Sequence, residues 1–322
     1  MHAKAPCAVL VRGVPKPFDV SERTSAYLTL RGNTAMTSLR DSLVESARKG
    51  TAIGHFNISD LVGLNAVAAV ARRIEVPVLI GTSEGERAFI GVRQVAAVVR
   101  SIRDEHDFPI FLNADHTHSL EKAEEAARAG YDMISFDGSA LAFEENVRQT
   151  REAVETVKSI NADVVVEGEL GYIGSGSEIH ETIPESSLVL TTPEEARQFA
   201  EATGVDVLAP AVGNMHGLLA AMVRGEVKKR LDIRRIAQIK AATAMPITLH
   251  GGSGTDDDDF RQAIEAGITI VHVSTELRLA WRRGLEAALS AEPDGLVPYQ
   301  LFRKAGEAMQ EVVTKRLKLF SR

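Results

Sequence analysis

The chain has 322 residues, 44% hydrophobic and 25% charged, and its net charge is −7. This is ample apolar material for a large core, and it lacks the basic face that non-specific nucleic-acid binding requires. The single cysteine, Cys7, excludes an internal disulfide framework and fits a reducing compartment, and no apolar stretch reaches the roughly 18–20 residues of a membrane span. The expectation is a cytoplasmic protein with neither a membrane nor a nucleic-acid partner.

Residues 1–36 carry scattered prolines and no hydrophobic period, and read as an N-terminal extension, disordered or an artefact of the assigned start. A fresh beginning follows at Met36-Thr37-Ser38-Leu39-Arg40-Asp41, where Thr37 or Ser38 can cap a helix and Asp41 favours its first turn. From there helical patterns fall at about 38–48, 60–74, 91–104, 119–129, 143–159, 193–203, 231–243, 256–266, 275–290 and 298–319. Short apolar runs lie between them at 51–56, 77–81, 109–113, 132–136, 163–167, 206–210, 246–249 and 268–273. The runs hardly alternate, as expected of parallel strands covered on their outer face. Eight strand–helix units predict an α/β fold over 37–322, a single-domain (β/α)8 TIM barrel with an extra C-terminal helix. Two longer loops, 168–192 and 211–230, have the length of binding loops or lids.

Catalytic groups of such a barrel stand at the C-terminal ends of its strands. There the chain places Asn57, Ser83, Asp115, His116, Glu167, Glu169, His216, His250 and His272, with almost no polar residue expected inside the strands. His116, His216 and His250 each follow an apolar run, and three imidazoles with an open fourth position are a ligand set for catalytic zinc. Glu169 is a nearby or alternate ligand, or a solvated loop acid. Asp115 precedes His116, so on an extended strand the two side chains should diverge, the carboxylate toward substrate and the imidazole toward metal. Asp115 then passes a proton to or from a substrate hydroxyl, or else orients a ligand from behind. Gly251-Gly252-Ser253-Gly254 and Ser274-Thr275 each open a helix and offer donors to a phosphate. Glu178 lies in a Gly/Ser-rich stretch and is either a base that swings over the site or a solvated acid. Trp281 is core or interface.

These residues resemble the class II, zinc-dependent fructose-bisphosphate aldolase family from about residue 37 to 320. The likeness is carried by Gly54-His55-Phe56-Asn57, Ser83-Glu84-Gly85, Ala114-Asp115-His116, Asp137-Gly138-Ser139, Phe143-Glu144-Glu145-Asn146, Glu169-Leu170-Gly171, His216-Gly217 and His250-Gly251-Gly252-Ser253-Gly254. The resemblance implies Zn2+ on His116, His216 and His250, and a monovalent cation, Na+ or K+, near the phosphate. It further implies Asp115 as acid/base, Glu178 as the approximate match of a loop base, and substrate contacts from Asn57 and Ser83. Gly217, Gly252, Ser253, Ser274 and Thr275 would hold phosphate. The implied activity is reversible cleavage of a ketose phosphate, such as fructose 1,6-bisphosphate, to dihydroxyacetone phosphate and an aldehyde in glycolysis or related carbohydrate metabolism. A homodimer or homotetramer is implied as well. No strand end carries a lysine for a Schiff base. Three features depart from the family: His272 in place of an asparagine that contacts the enediolate, His55 in place of a small residue, and Thr117-His118 after the first ligand. His55 and His272 should meet near the barrel mouth, since the first and last strands are neighbours, and His272 is expected to alter substrate choice. The alternatives are an aldolase for a different ketose or nucleophile, and a non-catalytic phosphosugar-binding protein.

Overall fold

A computed structural model describes residues 37–174, 176, 178–182 and 189–322. The proposed extension 1–36 and positions 175, 177 and 183–188 lie outside the described residues. The strands are β1 (Ile53–Asn57), β2 (Val78–Thr82), β3 (Ile110–Thr117), β4 (Met133–Phe136), β5 (Val165–Leu170), β6 (Ile179–His180), β7 (Val207–Pro210), β8 (Leu218–Leu219), β9 (Ile247–Leu249) and β10 (Ile268–Val273). Eight of them close into a barrel in the order β1-β10-β9-β7-β5-β4-β3-β2, every pair parallel, while β6 and β8 form a separate two-stranded sheet. This is the (β/α)8 architecture that the alternating pattern predicts.

The helices are α1 (Leu39–Lys49), α2 (Leu61–Ile74), α3 (Glu84–Ile90), α4 (Val92–His106), α5 (Leu120–Ala129), α6 (Phe143–Ile160), α7 (Pro193–Thr203), α8 (Ala220–Val223), α9 (Ile233–Thr243), α10 (Asp257–Glu265), α11 (Thr275–Ala291) and α12 (Pro298–Phe320). Helix α1 starts where the sequence says it should. Ser38 Oγ accepts from Asp41 N–H at 3.1 Å while Asp41 accepts from Ser38 N–H at 3.3 Å, a reciprocal cap.

Strand parity builds the interior in three layers. At the bottom Ile53, Leu79, Phe111, Met133, Val165, Val207 and Ile270 point inward and are closed off by Leu39 and Leu43 of α1. Two residues further along, the same face carries His55, Gly81, Asn113, Ser135, Glu167 and His272, and β9 adds Thr248. Another step of two gives Asn57, Ser83, Asp115, Asp137, Glu169 and Ser274, with His250 from β9. Outward-facing residues between them, such as Phe56, Ile80, Leu112, Ile134, Val166, Leu208 and Val271, pack under the helices.

The middle layer corrects the expectation that strand interiors are nearly free of polar groups. His55, Asn113, Ser135, Glu167 and Thr248 are all fully buried there, and they bond to one another: Asn113 Nδ2 donates to Ser135 Oγ at 2.9 Å and to His55 Nε2 at 3.1 Å. Most polar atoms of the layer find partners this way, but His55 Nδ1 and His272 Nε2 have none among the described residues. Other differences are local. Helix α3 precedes α4 where one helix over 91–104 was expected, β3 runs on to Thr117, and loop 211–230 contains β8 and α8.

Candidate active site

The third strand holds the central irregularity. Between Ala114↔Ile134 and Thr117↔Phe136, β3 has two residues where β4 has one, a β-bulge formed by Asp115 and His116. His116 takes φ 44, in the left-handed region that costs a non-glycine residue energy and collects at functional positions. The bulge overturns the expected divergence of the two side chains. Asp115 Oδ1 lies 3.9 Å from His116 Nε2, because the extra residue turns both toward the same mouth.

His116, His216 and His250 do converge: each offers a ring nitrogen within 4.8 Å of the others. In each ring one nitrogen is already engaged. His116 Nδ1 faces Asp137 Oδ2 at 2.9 Å, His216 Nδ1 donates to Gly174 O at 2.7 Å, and His250 Nε2 faces Glu167 Oε1 at 2.8 Å. Engagement of the outer nitrogen fixes each ring and aims the inner one at the common centre, where in the neutral ring it is a lone-pair donor, the arrangement found behind metal-bound histidines. The inner pair His116 Nε2 and His250 Nδ1 stand 3.4 Å apart. Glu169 also belongs here rather than in solvent: it is buried, with Oε1 2.9 Å from His116 Nδ1 and 3.8 Å from His250 Nδ1, and that oxygen accepts no hydrogen bond. Three directed imidazoles beside an orphaned carboxylate oxygen fit a divalent metal such as zinc.

The fields at the rings differ. Burial and the charges of His116 and His250 push His216 down to about 3. Burial opposes the charged form of His250 too, but Glu169 and Glu167 raise it to about 9. At His116 burial is outweighed by Glu169, Asp115 and Asp137, which lift it well above the usual histidine value. Burial raises Glu169, with Asp137 adding to the effect. Burial would also raise Asp115, but His116, His272 and His55 together hold its carboxyl well below the usual range. Asp115 is thus an ionised carboxylate, one oxygen accepting from Asn57 Nδ2 at 2.8 Å and the other without a hydrogen bond.

A cavity of about 430 Å³ opens above these groups. It is lined by Asn57, Ser83, Asp115, His116, His216, Gly217, His250, Ser253, His272, Ser274 and Thr275, so most of the sequence candidates meet in one place. Three do not line it. Glu169 lies beneath, Gly252 spends its N–H on the His272 carbonyl at 3.0 Å, and Glu178 is exposed, with its carbonyl accepting from Leu218 N–H at 2.9 Å. His55 and His272 are register partners on β1 and β10, and their rings stack at 3.5 Å, 5° from parallel. Gly81 makes room for this pair, since a Cβ there would lie 2.0 Å from His55 Cε1. His272 also faces Asp115 Oδ1 through Nδ1 at 3.3 Å and contacts the His250 ring at 3.9 Å.

Sequence reading missed Glu86. This buried carboxylate on α3 accepts from Asn57 Nδ2 at 3.0 Å, Ser83 Oγ at 2.9 Å and Ser83 N–H at 2.8 Å, and pairs with Arg278 at 2.6 Å. Its signal was present as Ser83-x-x-Glu86, a capping-box spacing. Asp137, in a quoted motif, and Glu167, among the strand-end polar residues, carried no role in the sequence reading; they engage the outer nitrogens of the His116 and His250 rings. Trp281 donates to Asp60 at 3.0 Å and is half-buried.

With this geometry in hand, the comparisons with known proteins are specific. Residues 37–322 match the family model for fructose-bisphosphate aldolase class-II. The YdjI aldolase from Escherichia coli K12 is 29% identical, with 89% of this chain and 97% of that one covered and a TM-score of 0.74. A putative fructose-1,6-biphosphate aldolase from Coccidioides immitis is 28% identical over 88% of this chain and 96% of the other, with a TM-score of 0.75. Fructose-bisphosphate aldolase from Campylobacter jejuni is 20% identical over 88% and 93%, with a TM-score of 0.72, a likeness of fold.

Proposed function

Since the chain belongs to the class II fructose-bisphosphate aldolase family and is an aldolase, a carbon–carbon lyase, we propose that it is zinc-dependent and reversibly cleaves a ketose phosphate to dihydroxyacetone phosphate and an aldehyde. The observation that carries the metal reading is the set of three imidazoles whose outer nitrogens are engaged and whose inner nitrogens converge. His116, His216 and His250 would hold the zinc, with Glu169 as the alternate ligand. When bound, the metal supplies Lewis-acid polarisation of the substrate carbonyl.

The remaining chemistry belongs to side chains. Asp115, ionised and anchored by Asn57, takes the proton of the substrate hydroxyl at the bond being broken and returns it in condensation. Ser253, Ser274, Thr275 and Gly217 line one side of the cavity and are the proposed phosphate contacts. Gly252 serves that subsite indirectly, by fixing the loop through its bond to the His272 carbonyl. Asn57 of β1 and Ser83 after β2, tied together by Glu86, line the same cavity and present further polar groups to the substrate. Glu178 is the candidate for the second proton transfer, from the loop beside Leu218. A cytoplasmic homodimer or homotetramer acting in glycolysis or related carbohydrate metabolism completes the proposal; no described helix is long and apolar enough to cross a membrane.

One observation favours a second reading of the substrate. The rigid His55–His272 stack faces Asp115 with an imidazole where an amide is the family expectation, and an imidazole is larger and can carry charge. On this reading fructose 1,6-bisphosphate is a weak substrate and another ketose or ketose phosphate a better one. Metal analysis, chelation and a cleavage assay across ketose phosphates and unphosphorylated ketoses test both, run on wild type and on His272→Asn. About one zinc per chain is expected, with activity lost on chelation and regained with zinc, and with His272→Asn shifting preference toward fructose 1,6-bisphosphate. Metal-free protein with undiminished cleavage would refute the mechanism. Efficient wild-type cleavage of fructose 1,6-bisphosphate, not improved by the substitution, would remove the second reading.

A further inference from the structure

Lys229 is 4% exposed, yet among the described residues its ammonium meets no carboxylate at hydrogen-bond distance; the polar neighbours it does meet are neutral backbone carbonyls. Nζ lies 2.6 Å from Gly251 O, 2.7 Å from Met215 O and 2.7 Å from Ser253 O, with Gly217 O at 3.5 Å. The Glu276 carboxylate acts on it only through space. Two of these carbonyls flank His216 in sequence, one follows His250, and one belongs to Ser253 of the cavity wall. The backbone of Lys229 is pinned to the same loop: its N–H donates to Gly254 O at 2.8 Å and its carbonyl accepts from Asp256 N–H at 3.1 Å.

Burial pushes Lys229 down to about 7, with Glu276 working the other way. The geometry decides for the charged form. An ammonium has three hydrogens for three short carbonyl contacts, whereas a neutral amine has two and would turn its lone pair against a carbonyl oxygen. A ring of backbone carbonyls around one positive centre is the chemistry by which proteins replace the water shell of K+ or Na+. The residues that build the ring come from two loops that otherwise have separate origins, after β7 and after β9.

We propose that the Lys229 ammonium is a built-in monovalent cation, filling from within the chain a carbonyl cage of the kind that holds K+ or Na+ and locking the His216 loop to the His250 loop. It is a positioning residue, and its importance for cleavage rests on the aldolase reading above. An external Na+ or K+ at this point becomes unnecessary, and the fixed charge lies beneath Ser253, on the side of the cavity assigned to phosphate.

The test compares full-length wild type, Lys229→Ala and Lys229→Met in chloride salts of K+, Na+, NH4+ and tetramethylammonium at equal ionic strength. Melting temperature and zinc affinity are read besides cleavage, so the outcome does not depend on any particular substrate or on activity at all. Wild type is expected to be indifferent to the cation. Lys229→Ala should melt lower, bind zinc more weakly and cleave about tenfold or more slowly in tetramethylammonium. All three should recover saturably with NH4+ or K+. Lys229→Met, whose stem keeps the cage filled, should stay low in every salt. Selective stabilisation of wild type by K+ overturns the proposal, and so does a Lys229→Ala protein that melts alike in all salts or folds in none.

Discussion

Asp115, in its proposed role, shows how a single carboxylate can be prepared for proton transfer by its neighbours. Its Oδ2 is spent on Asn57, while its Oδ1 accepts no hydrogen bond and lies between His116 at 3.9 Å and His272 at 3.3 Å. Because the ligand nitrogens are separate from it, Asp115→Ala should retain metal while slowing cleavage about a hundredfold or more, the scale of a lost general acid/base. Metal content and kcat of the variant check this together; loss of metal would reassign Asp115 to orienting a ligand. At this scale the sequence was informative where chemistry sits next to a strand end, as with the three histidines and Asp115. It was silent where a role arises only from convergence in space. Lys229 stands in Lys228-Lys229-Arg230, which on paper is indistinguishable from a solvated charge run, and its cage is made of carbonyls, which no side-chain pattern encodes.

Among elements, the strand ends opposite the site are joined by Asp206, just before β7. It accepts from Arg40 of α1 at 2.8 Å, from Lys158 of α6 at 2.6 Å and from the Val166 N–H of β5 at 2.8 Å. Burial would raise its pKa, but Arg40, Lys158 and the Val166 amide lower it below the ordinary aspartate value. A depressed carboxylate stabilises the fold fully above its unfolded pKa of about 4, and the contribution fades as pH falls through the lower folded value. Asp206→Asn should therefore cost about 1–3 kcal/mol at neutral pH. Its melting temperature should also fall less steeply in acid than that of wild type; parallel acid limbs would show that the cluster is not linked to folding. The main elements were legible because unalternated apolar runs and helical periods are local properties. Helix α3, Glu-Gly-Glu-Arg-Ala-Phe-Ile, is too short and too glycine-interrupted to show a period. The bulge at Asp115–His116 changes no letter in the pattern and so left no trace.

For the molecule as a whole, the C-terminal helix reaches the site through one arginine. Arg316, 3% exposed on α12, pairs with Glu276 of α11 at 2.6 Å and Asp257 of α10 at 2.7 Å, and its guanidinium lies over the Phe260 ring at 5.0 Å. Glu276 in turn accepts the Gly254 N–H at 2.8 Å, so the loop that ends in Gly254 is braced from the last helix of the barrel. Arg316→Met would leave half-buried Glu276 without its partner and should cost about 1–3 kcal/mol, read as a fall in the urea midpoint without a change in slope. A loss no larger than that of an exposed pair would mean that solvent replaces the arginine. The C-terminal helix was visible in sequence as the pattern at about 298–319, but not this brace, which joins residues 40 and 59 positions apart.

The bulge in β3 has one more consequence. Because Asp115 and His116 are successive residues turned the same way by a single left-handed backbone setting, the proposed proton carrier and the proposed ligand form one covalent fixture. Their spacing is set by bond lengths rather than by the drift of two separate elements. A designer who transplants this chemistry onto another barrel must copy the kink along with the two side chains, and a lineage that lost it would lose both at once.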